Sequence, residues 1–235
     1  MPHSRRERLD ACLVAPNNVA PFHSLSHALP NTTNLNLWHG RGKVLFTEGE
    51  QARGIYILLR GRATVSISSS GGKTIILRVA ESGDVLGLNS TLRDCTYDVT
   101  VKTLGSCSTD FVSRAELIVQ MERSHQFTQT VLKELSHELT ELADRARLLL
   151  LSQTSSIRFA KLLLGWGTRP AQNGPSIVRI EKSFTQEEIA QMIGSSRETV
   201  TRLLTTLSRR HIIEITADSI LIRDWGALET AAKDK

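Results

Sequence analysis

Two helix-start patterns separated by a glycine constrain this chain more than any other feature. Thr185 and Glu188 have the spacing of a capping box, in which each side chain accepts a hydrogen bond from the other's backbone N–H. Gly194 can adopt the positive φ that ends a helix, and Ser195, three residues before Glu198, is expected to cap the next helix. Two helices joined by so short a turn predict a helix-turn-helix.

The second helix of this motif has one apolar and one polar face. At ~100° per residue, four large aliphatic side chains fall together, namely Val200, Leu203, Leu204 and Leu207. The opposite face carries Arg197, Glu198, Thr201, Arg202 and Thr205. Arg209 and Arg210 follow near the far end, so the helix is strongly basic. One face is expected to be dry, and the other is free to form hydrogen bonds.

The polar face suits the edges of DNA bases. Arginine has the two parallel donors that guanine O6 and N7 require, and glutamate can accept from cytosine N4. We therefore expect Arg197, Glu198 and Arg202 to read the major groove. Hydroxyls and backbone N–H groups near helix starts suit phosphates. The further DNA contacts expected on this basis are Ser195, Ser196, Thr185, Thr201 and Thr205. The alternative is a solvated charged face on an ordinary helix.

The pattern of apolar residues and glycines divides the chain into four parts and predicts an α+β fold. Residues 1–34 show no sustained period and are expected to be an N-terminal extension. Residues 35–123 hold short apolar runs separated by glycines, which is typical of a β-sandwich or barrel. A long helix is predicted over 124–152. Residues 153–235 hold the helix-turn-helix, followed by a hairpin wing around Thr216–Asp218.

The predicted long helix carries an apolar repeat of 3.5 residues. Its members are Leu132, Leu135, Leu139, Leu142, Ala146 and Leu149. This period suits a seam between two identical helices better than the wider stripe of a surface helix, so we expect a homodimer. The register lasts barely three heptads, and a helix that lies on its own β domain is the alternative.

Composition excludes several other classes of protein. No apolar run approaches the ~20 residues that cross a bilayer, and no apolar segment follows the N-terminal arginines, so we expect a cytoplasmic protein without membrane contact. Cys12, Cys95 and Cys107 are too few for a disulfide framework or a four-cysteine metal site. No metal or cofactor is expected, and no motif assigns a catalytic nucleophile or phosphate loop. The net charge of +5 permits a polyanionic partner without requiring one.

Two segments of the chain resemble the Crp/Fnr family of transcription regulators. The family's recognition helix and following segment resemble residues 194–213, GSSRETVTRLLTTLSRRHII. Its cyclic-nucleotide-binding β-roll resembles residues 46–65, FTEGEQARGIYILLRGRATV. The similarity covers about residues 37–224 in matching order and implies a β-roll, a long dimer helix and a winged helix. It also implies a homodimer that binds palindromic double-stranded DNA, with RNA polymerase as a further partner.

The branch of the family also bears on the site. The Arg-Glu-Thr-Val block resembles the cyclic AMP receptor protein branch, whose Arg, Glu and Arg read a half-site of the TGTGA kind. The resemblance places those roles on Arg197, Glu198 and Arg202. The oxygen-sensing branch holds an iron–sulfur cluster on N-terminal cysteines, which Cys12 alone cannot supply.

The resemblance fails in the β-roll pocket. Members that bind cyclic AMP hold its phosphate with an Arg-Ser pair and its ribose with a Glu. A turn of the long helix supplies hydroxyls to the base in those members, and it falls near Ala143-Asp144 here. The pocket positions predicted from the resemblance are Gly87, Leu88, Tyr97, Asp98, Thr140 and Asp144. Gly87 matches, but Leu88 stands at the Glu position, and Tyr97-Asp98, or Asp98-Val99 in a shifted register, replaces Arg-Ser. A phosphate without its partners would be costly to desolvate, so we expect an effector other than cyclic AMP, or none.

Several roles for the β-roll stay open at this point. It could bind a different small molecule, respond to a redox or gas signal, or be structural in a regulator controlled by its abundance. The side chains that a redox or haem signal would use are Cys95, Cys107, His39, His125 and His137. The alternative function is a regulatory small-molecule-binding subunit that controls a partner enzyme. The basic helix face and the lost phosphate clamp argue against it.

Overall fold

A computed structural model describes residues 36–151, 154–168 and 177–233. The extension predicted for residues 1–34 lies outside them. The described residues form two compact units, one that ends at Leu142 and one that begins at Ala143. No helix among the described residues is long and apolar enough to cross a membrane.

The first unit is built on two antiparallel four-stranded sheets. Its strands are β1 (Leu37–His39), β2 (Val44–Phe46), β3 (Gly54–Arg60), β4 (Ala63–Ser68), β5 (Thr74–Ala80), β6 (Val85–Leu86), β7 (Thr100–Thr103) and β8 (Cys107–Ser113). The strand orders are β1-β8-β3-β6 and β2-β7-β4-β5. Among the described residues, three helices accompany the sheets: α1 (Leu88–Arg93), α2 (Arg114–Arg123) and α3 (His125–Leu151). The long helix α3 continues into the second unit.

Strand β3 buries both of its faces, because successive side chains of a strand point to opposite sides. Ile55 and Ile57 pack in a core cluster with Leu117 of α2 and Phe127 of α3. Leu58 points the other way, into a cluster that includes residues from both sheets. One strand therefore joins the helices to the space between the sheets. This arrangement is the β-roll that the resemblance implied.

The second unit is a winged helix. Its elements after the end of α3 are α4 (Ser155–Trp166), β9 (Val178–Glu181), α5 (Gln186–Met192), α6 (Arg197–Arg209), β10 (Ile213–Ile215), β11 (Ser219–Ile222) and α7 (Trp225–Ala231). The sheet order is β10-β11-β9, with antiparallel neighbours. Strands β10 and β11 form the predicted hairpin wing. The predicted α+β fold with a β-roll, a long helix and a winged helix-turn-helix is confirmed.

Two glutamates of α3 are half-buried. Burial raises the pKa of both Glu134 and Glu138 above the ordinary value. Arg78 of β5 acts against this rise at both glutamates, and it forms ion pairs with Asp84 at 2.5 Å and with Glu141 at 3.5 Å. Oε2 of Glu134 is buried and has no hydrogen-bond partner among the described residues. An ionised Glu134 is therefore a cost to the folded state.

Replacing this carboxylate should stabilise the protein near neutral pH. Glu134→Gln is expected to raise the free energy of unfolding by about 1 kcal/mol at about pH 7.5, since it removes a buried charge. The folded state holds the Glu134 proton above pH 4.5, where the unfolded chain has begun to release it. The stabilisation that protonated Glu134 contributes is therefore complete below pH 4.5, and it is lost as pH rises through the raised pKa of the folded state.

Urea unfolding at both ends of this pH range measures the effect. The gain from Glu134→Gln should shrink at about pH 4, where both states carry the proton. Glu122→Gln, at an exposed glutamate of α2, is the control and should change little. An equal gain at both pH values would contradict the assignment of the cost to ionisation.

Candidate nucleic-acid interface

The first helix of the motif begins and ends as predicted. The Thr185 hydroxyl accepts from the backbone N–H of Glu188 at 3.2 Å, and Glu188 Oε2 accepts from the N–H of Thr185 at 2.7 Å. This is the predicted capping box. Helix α5 ends at Met192, and Gly194 has a φ of 60°. Glycine adopts this left-handed conformation without steric cost.

The cap of the second helix is Ser196, and the prediction of Ser195 was wrong by one residue. The Ser196 hydroxyl accepts from the backbone N–H of Thr199 at 3.2 Å, and α6 begins at Arg197. The N–H of Ser195 instead donates to the carbonyl of Ala190 at 2.9 Å. This bond spans six residues and closes the end of α5 in the manner of a Schellman motif, so Ser195 belongs to the C-terminal cap of the first helix.

Helix α6 buries its apolar face and exposes its polar one. Val200, Leu204 and Leu207 are 0%, 6% and 5% exposed. The side chains predicted on the opposite face are all exposed, namely Arg197, Glu198, Thr201, Arg202 and Thr205. Since the packed residues fix the rotation of the helix, the three side chains predicted to read bases project into solvent.

The charges on this face are available to a ligand. Neither Arg197 nor Arg202 forms a salt bridge within the described ranges of the chain. Hydrogen bonds from its own backbone N–H and from Ser196, together with the charge of Arg197, hold the pKa of Glu198 below its ordinary value. Glu198 is therefore an ionised acceptor at neutral pH. The face offers two guanidinium donors and one carboxylate acceptor.

The threonine hydroxyls at this surface already donate hydrogen bonds within the motif. Thr201 Oγ1 donates to Gln186 Oε1 at 2.8 Å, and Thr205 Oγ1 donates to the Thr201 carbonyl at 2.9 Å. Thr185 Oγ1 lies 3.0 Å from Glu188 Oε2 and donates to it. A phosphate oxygen only accepts, so each hydroxyl would have to rotate to donate to one. Gln186, which joins α5 to α6, was missed, although its place directly after the Thr185 cap could have indicated it.

Two arginines that the sequence analysis did not single out hold the carbonyl end of α5. Arg145 of α3 donates from Nη2 to the carbonyl of Met192, and Arg158 of α4 donates from Nε to the carbonyl of Ile193 at 2.7 Å. Arg158 stands between Ile157 and Phe159, and this local contrast could have singled it out. Arg145 lies beside Asp144 and close to Arg147, so its neighbours along the chain provide no such signal.

Three of the predicted pocket positions in the β-roll pack as core. Leu88 is 1% exposed and belongs to the cluster formed with Ile55. The ring of Tyr97 stacks on Phe46 with centroids 3.9 Å apart, and its hydroxyl donates to a backbone carbonyl at 2.6 Å. Burial raises the pKa of Tyr97 to about 12. A Cβ at Gly87 would lie 2.6 Å from the Tyr97 ring, so these residues fill the space between them.

The carboxylate of Asp98 accepts hydrogen bonds from side chains at the start of α1. It accepts from Asn89 Nδ2 at 2.8 Å and from Ser90 Oγ at 3.2 Å, and Arg93 Nη1 lies 3.5 Å away. The two remaining pocket positions are elsewhere on α3. Thr140 Oγ1 donates to the carbonyl of Ser136, and Asp144 pairs with Arg147 in the second unit.

The predicted seam residues divide into exposed and half-buried members. Leu132, Leu139 and Leu142 are 58%, 69% and 43% exposed, and Ala146 is also exposed. Leu135 is half-buried against the core cluster of the β-roll. Leu149 is half-buried near the helix-turn-helix, where its Cδ2 lies 3.4 Å from the place of a Cβ at Gly194. Part of the repeat therefore packs within the chain, and the remainder is an uncovered apolar stripe.

The candidate sensor side chains form no shared site. Within residues 36–151, 154–168 and 177–233, no three His, Cys, Asp or Glu side chains are grouped to hold a metal ion. Cys107 is buried, and its Sγ donates to the Arg62 carbonyl at 3.1 Å. Cys95 is half-buried and contacts backbone carbonyls of its own turn.

Comparison with known proteins agrees with this architecture. The family model for the cyclic nucleotide-binding domain matches residues 38–124, and that for the Crp-like helix-turn-helix domain matches residues 157–231. These two domains define a DNA-binding transcription regulator with a cyclic-nucleotide-binding-type domain. The chain belongs to the Crp/Fnr family.

Two relatives and one solved structure illustrate the similarity. The CRP-like cAMP-activated global transcriptional regulator of Mycobacterium tuberculosis is 26% identical over 193 residues, which cover 82% of this chain and 86% of the relative. The transcriptional activatory protein AadR of Rhodopseudomonas palustris is 27% identical over 186 residues, covering 79% and 76%. The structure of FixK2 from Bradyrhizobium japonicum matches with a TM-score of 0.70 at 22% identity, covering 85% and 97%. This last likeness shows the shared fold.

The two adjacent serines provide a test of the observed cap. Ser196→Ala should lower the free energy of unfolding by about 1 kcal/mol, because the backbone N–H of Thr199 loses its acceptor. Ser195→Ala is the matched control and should cost less, since its contribution comes through its backbone. Thermal or urea unfolding followed by circular dichroism measures both. A larger loss from Ser195→Ala would show that the helix begins one residue earlier.

Proposed function

We propose that this DNA-binding regulator acts as a homodimer on a palindromic site of the TGTGA kind. Arg197, Glu198 and Arg202 would read base edges in the major groove. The observation that carries the proposal is the exposed polar face of α6, where these three side chains are accessible and the opposite face is buried. The guanidinium groups match guanine, and the ionised carboxylate matches cytosine N4.

The uncovered leucines of α3 support the dimer. Three large apolar side chains with the spacing of a coiled-coil seam are more than 40% exposed in the single chain. A second copy of the helix would bury them by knobs-into-holes packing. A twofold dimer would then present two recognition helices to successive major grooves, about 34 Å apart. A palindromic operator follows from that symmetry.

The β-roll of this protein would respond to an effector other than cyclic AMP, or to none. The M. tuberculosis relative is named as cAMP-activated, but this chain departs from the Glu and Arg-Ser pattern that the resemblance implies for nucleotide binding. Leu88 and Tyr97 are part of the core, and the Asp98 carboxylate binds the donors of Asn89 and Ser90. An incoming phosphate would meet a like charge there, which is unfavourable.

Any effector of the β-roll would act by changing the orientation of the winged helices. Such a change is a shift between dimer states that differ in their affinity for the effector. A regulator without an effector would bind its operator as purified. Contact with RNA polymerase would follow if the protein activates transcription.

Selection of binding sites from random DNA tests the function and the effector together. A palindrome with TGTGA-like half-sites should be recovered, and millimolar cyclic AMP should change neither the site nor the affinity. If no palindrome is recovered, the proposal that a homodimer binds a palindromic site is refuted. A marked rise in affinity with cyclic AMP would refute the proposed effector independence.

A single arginine can be tested for base readout. Arg197→Ala should weaken binding to the selected operator by about 1–3 kcal/mol and relax the preference at one base pair of each half-site. Arg209→Ala, at the exposed last residue of α6, is the control and should weaken all sequences alike. A uniform loss for Arg197→Ala as well would assign Arg197 to the phosphate backbone.

The proposed seam can be tested separately from DNA reading. Leu139→Asp should weaken the dimer by about 3 kcal/mol, because a charge without a partner would be buried in the seam. Sedimentation equilibrium measures the dimer, and operator affinity should fall with it. Lys133→Asp changes an exposed residue of α3 outside the repeat and should leave the dimer intact. An unchanged dimer in Leu139→Asp would place the interface elsewhere.

A further inference from the structure

The carbonyl end of α5 is completed by side chains from two other helices. Carbonyls in the last turn of a helix have no partner within it. Arg145 of α3 donates to the Met192 carbonyl, and Arg158 of α4 donates to the Ile193 carbonyl at 2.7 Å. A cation is favoured at this end of a helix by the helix dipole. These bonds end directly before Gly194, the residue that turns the chain into the recognition helix.

Arg145 is unusual because it is both charged and buried. The residue is 4% exposed, and arginine is almost never so deeply buried unless its charge is satisfied. Burial, with the charge of Arg158 nearby, lowers the pKa of Arg145 to about 10, so it is still a cation at neutral pH. A hydrogen bond from a buried charge to a backbone carbonyl constrains the geometry of that contact more than an apolar side chain would.

The same end of α3 also contacts the turn of the motif. Leu149 lies one helical turn after Arg145, and its Cδ2 is 3.4 Å from the place of a Cβ at Gly194. The last turns of α3 therefore hold both the end of α5 and the turn that follows it. Helix α3 is continuous from His125 to Leu151, so the residues that hold the motif and the exposed leucines belong to one element.

We infer that Arg145 is a positioning residue for DNA recognition, which fixes the helix-turn-helix on the end of α3. It thereby sets the separation at which two recognition helices of a dimer meet their half-sites. The inference rests on the proposed homodimeric function. Arg145 would not touch DNA, and its effect would be on how two sites are bound together.

The test compares a palindrome with a single half-site, using the full-length protein. Arg145→Met removes the guanidinium and keeps a long side chain, and Arg145→Lys keeps the charge without the forked donors. Arg147→Met is the matched control, because Arg147 is an exposed arginine two residues further along α3. Each variant is titrated against a duplex with the selected palindrome and against one with a single half-site. Sites are also selected from random DNA that varies the spacing between half-sites.

A positioning role predicts an effect on the palindrome alone. Arg145→Met should bind the palindrome at least about tenfold more weakly, since simultaneous engagement of two sites is lost. Its half-site affinity should be close to that of the unaltered protein, which also shows that the winged helix is folded. The affinity of Arg145→Lys for the palindrome should lie between those of Arg145→Met and the unaltered protein. Arg147→Met should bind like the unaltered protein. The range of half-site spacings that Arg145→Met selects should be broader.

Other results would overturn the inference. Equal losses on both duplexes, or an unchanged preferred spacing, would show that Arg145 only stabilises the winged helix. No loss on either duplex would show that the carbonyl contact is dispensable. If the unaltered protein selects no palindrome, the proposed function fails instead, and this outcome is distinct from a failure of Arg145.

Discussion

The burial of one face of α6 is the constraint on which the rest of the recognition surface depends. Val200, Leu204 and Leu207 can be removed from water in only one rotation of the helix, and that rotation turns Arg197 and Arg202 outward. Burying three such aliphatic side chains contributes several kcal/mol, far more than any preference of an exposed arginine. The chemistry offered to DNA is therefore determined by apolar packing on the opposite side of the helix.

The β-roll combines apolar packing with hydrogen bonds between its own side chains. Leu88 and Tyr97 are held in the core, and the Asp98 carboxylate is satisfied by Asn89 and Ser90. The donors of this loop thus have an acceptor from within the chain. A domain of this kind can keep its fold whichever ligand it binds, because the sheets depend on alternating burial and not on the bound molecule.

Much of this architecture could be predicted from the sequence, since it depends on local patterns. The Thr185–Glu188 spacing, the glycine after α5 and the two faces of α6 each involve residues within one or two helical turns. The cap at Ser196 was misassigned because the choice between two adjacent serines depends on the backbone geometry of the turn, in which the N–H of Ser195 donates to the Ala190 carbonyl. Arg145 was missed for a related reason: its partner Met192 is 47 residues away, and spacing within α3 carries no information about it.

The core position of Leu88 has a consequence for changing what the β-roll recognises. The side chain is surrounded by Ile55, Ile57 and Val85 with no space left to water, so an acidic residue there would be an isolated charge in an apolar setting. Grafting a nucleotide-binding sequence onto this loop would therefore require the surrounding aliphatic residues to be redesigned at the same time. A few surface exchanges would not convert this loop, because Leu88 belongs to the folding core.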